Sequence, residues 1–355
     1  MSKQKKQHRF KHKAKGGPPL GNLDGVLPSN EQVVLAEALR TRPPKAVRVR
    51  LPQAHGPATD GLLPFSVEPV PWYPDGFFCS GTHQPGRFLE YAAGAYFIQD
   101  AGSMLALRLL DVQPHEWVAD VCAAPGGKAS AILEQVGPGS GFLLANEPIR
   151  GRVPALEFNL ARVGFPRYCV TSKDPERLDP QWIQQFDAVL VDAPCTGQML
   201  VGRGKQSFAA FAESQVTHSA ARQQRIVSAA AQLVRPGGRL VYSTCTFAQN
   251  ENEDVIKIFL ATHDGWCVET VPELKQWQTP CSPGGYRLYP HRDQCAGAYA
   301  VRLRLEGEPI LDHTKMNRRE MKEDHLVLGE ETVGSTQGGY RIQQANRWTE
   351  LPKDI

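Results

Sequence analysis

Two cysteines that follow consecutive predicted strands are the residues whose types and spacing most directly indicate chemistry. A strand predicted over 187–191 leads into Asp192 and then Cys195, and a strand predicted over 239–244 leads directly into Cys245. Neighbouring parallel strands end at the same edge of a sheet, so we expect both thiols and the Asp192 carboxyl group to share one cleft. Such a group of side chains indicates nucleophilic catalysis assisted by hydrogen bonding or proton transfer.

Methylation of carbon 5 of cytosine is a reaction that uses these three groups. That carbon is a weak nucleophile, and its methylation requires the temporary addition of a nucleophile at carbon 6. A thiolate suits this step because it adds to, and later leaves, a polarised double bond, and we assign it to Cys245. Asp192 can offset the negative charge on the ring at N3 and the exocyclic amine. Cys195 then has a role after methyl transfer, when the C5 proton leaves and the enzyme thiol is expelled.

A glycine-containing turn between a predicted strand and a predicted helix indicates a cofactor site. Small residues and glycines allow a ligand to approach the backbone closely, and the N-terminus of the following helix favours a carboxylate. The turn lacks the G-x-G-x-x-G spacing of a nicotinamide dinucleotide site, whereas the carboxylate and adenosine of S-adenosylmethionine fit it better. Its candidate residues are Cys122, Ala123, Ala124, Pro125, Gly126, Gly127 and Lys128.

Two acidic residues after the next strands complete the predicted cofactor site. Glu147 follows the strand predicted over 142–146, where a carboxylate can accept hydrogen bonds from both hydroxyls of a ribose. Asp174 follows the strand predicted over 168–171 and can accept a hydrogen bond from the adenine amino group. Because Pro175 comes next, a turn or a helix N-cap is the alternative interpretation of Asp174.

The elements that position these residues alternate between strands and helices from residue 91 onward. Such βα units favour an α/β fold with a parallel, doubly wound sheet that binds ligands at the carboxyl ends of its strands, and we assign this domain to residues 93–305. Strands are predicted over 117–122, 142–146, 168–171, 187–191 and 239–244, and helices over 127–136, 148–162 and 220–234.

Residues 24–92 predict a smaller α+β domain ahead of this sheet. Helical spacing over 30–39 is followed by an alternation of apolar and basic residues over 46–51. The alternation places Arg48 and Arg50 on one face, which suits a sheet that meets RNA on its polar side, and a solvated strand face would give the same pattern.

Composition excludes several classes of protein. The chain has 355 residues, of which 41% are hydrophobic, and no apolar run approaches the roughly 18 residues of a transmembrane helix. We therefore expect a soluble, cytoplasmic and monomeric protein without membrane contacts. The eight cysteines form no C-x-x-C pair, so neither a metal site nor a disulfide framework is predicted.

Both ends of the chain differ in composition from the two predicted domains. Residues 1–23 carry seven Lys or Arg and no acid, which predicts either a mobile basic arm that contacts phosphates or a solubilising tail. Residues 306–355 are polar and have no clear period. We assign this tail no function and expect much of it to be poorly ordered.

These motifs resemble those of the Nop/Sun family of RNA cytosine-5 methyltransferases, over residues 28 to 305. The resemblance implies a Rossmann-like class I methyltransferase domain after a small RNA-recognition-like domain, with S-adenosylmethionine as cofactor. It also implies that Cys245 is the nucleophile, that Cys195 assists product release, and that the 122–128 loop, Glu147, Asp174 and Asp192 contact the cofactor. The matching stretches are 94–103, 122–128, 192–197, 235–238 and 243–246.

The substrate is predicted from a weaker likeness in the small domain. Trp72, Tyr73 and the run 76–78 resemble bacterial members that act on small-subunit ribosomal RNA, so 16S ribosomal RNA is the predicted substrate and transfer RNA is the alternative. Residues 48–50 read Arg-Val-Arg where Arg-Val-Asn is usual, and loop 198–205 lacks the common acidic or glycine-rich turn before an Arg-Lys pair. The C-terminal RNA-binding extension of the family is not recognisable in the tail.

Three other classes of protein fit these residues less well. A DNA cytosine-5 methyltransferase would use Cys195 as its nucleophile and would lack a cysteine at the position of Cys245. An amino-methylating enzyme would carry a polar residue followed by prolines or an aromatic residue in place of 192–195. A non-catalytic RNA-binding protein on the same fold would have lost these residues.

Overall fold

The computed structural model describes residues 20–23, 25–50, 63–81 and 83–308, together with short strands between residues 327 and 350. The predicted basic arm lies outside the described residues except for a 3-10 helix at Leu20–Leu23. In the described part of the chain, no helix is both long enough and apolar enough to cross a membrane.

The small N-terminal domain is built on an antiparallel sheet of four strands. The strand order β2-β3-β1-β4 forms the kind of four-stranded sheet that RNA-recognition domains contain. The last strand pairs with β1, so the small domain extends beyond residue 92, where its predicted boundary fell. Its elements are α1 (Ser29–Ala38), β1 (Ala46–Val49), β2 (Val67–Pro69), β3 (Gly76–Cys79), α2 (Leu89–Ala92) and β4 (Tyr96–Ile98).

A mostly parallel sheet forms the centre of the larger domain. Its strands are β5 (Trp117–Asp120), β6 (Phe142–Asn146), β7 (Tyr168–Thr171), β8 (Phe186–Asp192), β9 (Val234–Thr244), β10 (Trp266–Glu269), β11 (Tyr286–Leu288) and β12 (Ala298–Leu305). The strand order is β10-β12-β9-β8-β5-β6-β7, and β12 runs antiparallel to β9, β10 and β11. The chain order reverses at β5, which pairs with β6 on one side and β8 on the other. Ligands of such sheets bind beyond the carboxyl ends of the strands at this reversal.

Helices cover both faces of this sheet and enclose two cores. Along β8, Ala188 and Leu190 belong to one core, whereas Val189 and Val191 belong to the other, because successive side chains of a strand point to opposite faces. Each fully buried aliphatic side chain of this kind stabilises the fold by about 1.5–3 kcal/mol. The helices of the first core are α3 (Ala101–Leu110), α4 (Gly127–Val136) and α5 (Val153–Ala161); those of the second are α6 (Glu213–Ala231) and α7 (Glu253–Thr262), and the short α8 (Pro290–Asp293) precedes β12.

The structure confirms the predicted α/β class and most of the predicted elements. Strands β6 and β7 and helix α4 have the predicted bounds. Helix α6 instead spans Glu213–Ala231 and not 220–234. It ends earlier because Val234 already pairs with Phe186 as the first residue of β9.

The basic face of β1 is buried, which contradicts its predicted role as an RNA-binding surface. Arg48 is only 2% exposed; its guanidinium pairs with Glu134 of α4 and donates to Ser130 Oγ at 3.0 Å. Arg50 is half-buried and donates to the backbone carbonyl of Val163. The prediction for Arg48 and Arg50 is therefore wrong, since both side chains contact protein.

The C-terminal tail contains strands where we expected little regular structure. Two small antiparallel sheets are described: β13 (Val327–Leu328) with β14 (Glu331–Thr332), and a three-stranded sheet of β15 (Gly334–Thr336), β16 (Gly339–Gln344) and β17 (Arg347–Glu350). Tyr340 and Ile342 alternate with polar residues in the sequence of β16. This alternation is typical of a strand, but the polar composition of the whole tail does not reveal it.

Candidate active site

The predicted cofactor loop lies between the end of β5 and the start of α4, at the reversal of the sheet. Gly126 has a φ of 105°, and a Cβ at this position would lie 3.0 Å from Cβ of Asn159. Only glycine adopts this conformation without strain. The loop is held from both sides, because Ala123 N–H donates to the Asn146 carbonyl at 2.8 Å and Asn159 Nδ2 donates to the Pro125 carbonyl at 2.7 Å.

Glu147 is fixed directly against this loop. Its Oε2 accepts a hydrogen bond from Ala124 N–H at 3.2 Å, and its Oε1 accepts one from Ile149 N–H at 2.9 Å. Arg152 lies 3.2 Å from the same carboxylate, and its guanidinium also donates to the Ala124 carbonyl at 2.5 Å. The 122–128 loop therefore helps to orient the Glu147 carboxylate, and both are predicted to bind the same cofactor.

Asp174 lies at the same edge of the sheet, on the surface beyond β7. Its Oδ1 accepts a hydrogen bond from Glu176 N–H at 3.0 Å and caps the 3-10 helix Pro175–Arg177. This is the N-cap arrangement that the sequence left open as the alternative. Its contact with adenine remains a prediction.

Asp192 ends β8 beside Ser243 of β9 and forms an ion pair with the cofactor loop. Its Oδ2 lies 2.6 Å from Lys128 Nζ, and its Oδ1 accepts a hydrogen bond from Ser243 Oγ at 2.8 Å. Burial disfavours the charged amine of Lys128, but the Asp192 carboxylate outweighs this effect and the pKa of Lys128 is raised. The cationic amine of Lys128 therefore lies beside Asp192, the carboxyl group that is predicted to face the cytosine ring.

The two cysteines predicted to share a cleft are brought together by the ends of β8 and β9. Their Sγ atoms lie 3.1 Å apart, and Cys245 N–H points to Cys195 Sγ at 3.3 Å. Both are half-buried free thiols. The hydrogen bond with Cys245, followed by burial, holds the pKa of Cys195 well above its usual range. Cys195 therefore keeps its proton at neutral pH.

Asp120, at the end of β5, was not singled out in the sequence. Its side chain is buried, its Oδ1 lies 3.3 Å from Cys122 N–H, and its Oδ2 has no hydrogen-bond partner among the described residues. Burial, followed by the negative charge of Asp192, raises the pKa of Asp120 to about 7. An unpaired acceptor behind the loop fits a cofactor that brings an amino group, as S-adenosylmethionine does.

Asn146 was also missed, although it connects three strand ends. Its Nδ2 donates to the carbonyls of Val121 and Lys173, and its Oδ1 accepts hydrogen bonds from Thr171 Oγ1 and Lys173 N–H. A buried amide that ends an apolar strand is the only local sequence signal for this role.

The loop after Cys195 carries two basic residues, Arg203 and Lys205, and only one of them is exposed. Arg203 pairs with Asp100, at the N-terminus of α3, and is thereby turned into the protein. Lys205 is exposed. The basic contribution of this loop to an RNA surface is therefore smaller than its sequence suggests.

Two protein-family descriptions match this chain, one in each domain. Residues 107–304, more than half of the chain, match the family described as 16S rRNA methyltransferase RsmB/F. The chain belongs to this family. Residues 22–101 match the N-terminal domain of 16S rRNA methyltransferase RsmF, in agreement with the place of β4 in the small domain. Membership of the RsmB/F family, which is S-adenosylmethionine-dependent, confirms the predicted family and cofactor.

Curated relatives carry the same likeness over part of their length. The ribosomal RNA small subunit methyltransferase F of Erwinia tasmaniensis is 34% identical over 249 residues, which cover 68% of this chain and 52% of that protein. The protein of the same name from Klebsiella pneumoniae is 32% identical over 250 residues, with the same coverage. The chain thus spans about half of the length of these relatives.

Solved structures share the fold. A methyltransferase homolog protein from Pyrococcus horikoshii is 25% identical with a TM-score of 0.64, over 79% of this chain and 92% of that one. NSun6 from the same organism, crystallised with SFG, is 19% identical with a TM-score of 0.67, over 80% of this chain and 97% of that one. The second likeness shows the Rossmann-like fold alone.

Proposed function

We propose that this chain transfers the methyl group of S-adenosylmethionine to carbon 5 of a cytosine in 16S ribosomal RNA, through a covalent bond between Cys245 and carbon 6. The observation that carries the proposal is the 3.1 Å separation of the Cys195 and Cys245 sulfur atoms beside the ion pair of Lys128 and Asp192. A nucleophile, a second thiol and a charged pair at one strand edge are the groups that this reaction uses. The names of the curated relatives support ribosomal RNA over transfer RNA.

The cofactor site in this proposal is the 122–128 loop with Glu147, Asp174 and Asp192. The loop backbone and the N-terminus of α4 would hold the amino-acid end, and the carboxylates of Glu147 and Asp174 would accept hydrogen bonds from ribose and adenine. When bound, the cofactor supplies an electrophilic methyl group. The chain binds and orients it.

The addition step uses the thiolate of Cys245. Its electron pair forms the bond to carbon 6, and the electrons of the C5–C6 double bond make carbon 5 nucleophilic while negative charge spreads over the ring. Asp192, with the Lys128 ammonium 2.6 Å away, offsets that charge at N3 and the exocyclic amine. These contacts stabilise the addition.

The release step reverses the addition at carbon 6. Once carbon 5 carries the methyl group, its proton leaves, the electrons of the C–H bond re-form the double bond, and the electrons of the S–C6 bond return to Cys245. Cys195 lies next to the sulfur that must depart. We assign its role to this stage of the reaction.

Single replacements of the two cysteines test the chemistry. Cys245→Ala should abolish methylation and form no covalent RNA species, whereas Cys195→Ala should form the bond and fail to release it. The trapped protein–RNA species survives denaturing gel electrophoresis, and the exposed and remote Cys267→Ala provides the matched control. The opposite pattern, with a trapped species only in Cys245→Ala, would make Cys195 the nucleophile and contradict the proposal.

Competition between RNA classes tests the substrate. Purified 16S ribosomal RNA and a transfer RNA pool are offered together with S-adenosylmethionine, and the methylated positions are mapped by bisulfite sequencing. We expect protection of a cytosine in the ribosomal RNA. Preferential methylation of transfer RNA, or a methyl group that gives no bisulfite protection, would contradict the substrate or the position.

A further inference from the structure

A buried carboxylate connects the loops that carry the two cysteines. Glu251 lies in the 3-10 helix Gln249–Glu251, after β9, and is fully buried. Its Oε1 accepts hydrogen bonds from the hydroxyls of Thr196 at 2.5 Å and Thr246 at 3.1 Å. Its Oε2 accepts hydrogen bonds from Thr196 N–H and Gln223 Nε2, both at 2.9 Å. Four donors therefore meet on one carboxyl group, which is the pattern of an ionised acid that accepts only.

No ion pair among the described residues includes Glu251, so neutral donors alone offset its charge. Burial of a charge without a countercharge costs free energy, and only its hydrogen bonds offset that cost. Nearby Glu253 is also buried, but it has the Arg287 guanidinium as its partner. This difference indicates that the role of Glu251 lies in its hydrogen bonds with the surrounding loops.

Those loops carry the candidate nucleophile and its neighbour. Thr196 directly follows Cys195, and Thr246 directly follows Cys245. Gln223, from α6, also donates to the Pro194 carbonyl at 3.1 Å, on the other side of Cys195. The Glu251 carboxylate thus accepts hydrogen bonds from groups directly next to both cysteines.

We propose that Glu251 is the positioning residue that holds Cys195 against Cys245, so that the methylated RNA can be released. The inference rests on the proposed function. The negative charge of Glu251 also contributes to the raised pKa of Cys195, after the hydrogen bond with Cys245, burial and the charge of Cys245. Loss of Glu251 should therefore impair the stage assigned to Cys195 and leave addition by Cys245 in place.

The test compares Glu251→Ala with wild type for covalent adduct formation and for product release in a single turnover. We expect adduct formation to continue and release to slow on the order of 10- to 100-fold, since small displacements of reacting groups have effects of this size. A protein–RNA species should then accumulate on denaturing gels. Glu251→Gln keeps an oxygen that can accept from Thr196 N–H and Gln223, and it should release RNA faster than Glu251→Ala.

Two threonine variants keep the test informative if Glu251→Ala does not fold. Thr246→Val removes one donor to Glu251 and should accumulate some trapped RNA. Thr244→Val is its matched control, because the buried Thr244 hydroxyl donates to Asn252 Oδ1 at 2.5 Å and not to Glu251. It should release product as wild type does.

Release at the wild-type rate by Glu251→Ala or Thr246→Val would overturn the inference, as would equal trapping by Thr244→Val. Cys195→Ala is assayed alongside to separate the two proposals. If Cys195→Ala traps RNA and the Glu251 and Thr246 variants do not, only the role of Glu251 fails. If Cys195→Ala also releases product normally, the assignment of Cys195 fails first.

Discussion

Replacing Asp120 with asparagine should remove a pH dependence of stability that the buried Asp120 carboxyl group imposes on this protein. The Asp120 carboxyl group is buried, one of its oxygens has no hydrogen-bond partner among the described residues, and its pKa is raised from 3.8 to about 7 by burial and by Asp192. An unfolded chain releases this proton near pH 3.8, whereas the folded chain keeps it until about pH 7. Between these values the folded state binds more protons, so stability falls as pH rises.

The size of this effect follows from the separation of the two pKa values. Each pH unit well inside the interval lowers the free energy of unfolding by about 1.4 kcal/mol, and the slope falls to half of this value at pH 7, where half of the folded molecules have lost the proton. The step from pH 5 to pH 7 therefore contributes roughly 2 kcal/mol. Asparagine has a similar shape and does not ionise. The advantage of Asp120→Asn over wild type should therefore grow by about 2 kcal/mol between these two pH values.

Urea unfolding of the cofactor-free protein at pH 5 and pH 7 measures this advantage directly. Asp264→Asn, on an exposed turn, is the control and should show no such growth. An advantage that is equal at both pH values would refute the reasoning. It would show that Asp120 is already ionised in the folded protein at pH 5.

Three further predictions address the cofactor, the RNA and the contact between the domains. Glu147→Ala should weaken S-adenosylmethionine binding by roughly 1.5–3 kcal/mol, because hydrogen bonds from a ribose to a charged group are lost, and calorimetry that finds unchanged affinity in the folded variant would reject the assignment. Removal of residues 1–19, which carry all seven Lys and Arg of the arm and spare the buried Leu20 and Leu23, should flatten the dependence of log affinity for RNA on log salt concentration, and an unchanged slope would identify the arm as a solubilising tail. Arg48→Met should lower the free energy of unfolding by about 3–5 kcal/mol, because it leaves Glu134 buried without its partner. Addition of Glu134→Leu should recover most of that loss in urea unfolding, and failure to do so would mean that packing and not the ion pair is responsible.

The positions of the 122–128 loop and of the two cysteines could be anticipated because their signals are local. The 122–128 loop stands between a strand and a helix of recognisable period, and strand ends that are neighbours in the sheet bring Cys195 and Cys245 together. A parallel sheet converts such local signals into a site, since its strand ends meet at one edge. The roles of the individual residues were predicted from the family resemblance.

Contacts between distant parts of the chain could not be anticipated in the same way. Alternation along β1 cannot distinguish a solvated basic face from one covered by a helix, and the acid that pairs with Arg48 lies 86 positions away. Glu251 similarly meets a threonine 55 positions away, in a loop with no period of its own. Such partners are set by tertiary packing.

The burial of Arg48 has a consequence for how RNA reaches the methyl group. The Arg48 guanidinium connects the middle of the small sheet to α4, the helix that begins at the 122–128 loop, through Glu134 and Ser130. Its Nε also donates to Gln99, just after β4. At this contact, the N-terminal sheet is therefore held against α4 by a buried ion pair. Under the proposed function, the nucleic acid supplies the conformational adjustment, so we expect a cytosine in a strand that can bend or unstack to reach Cys245 more readily than one locked in a regular duplex.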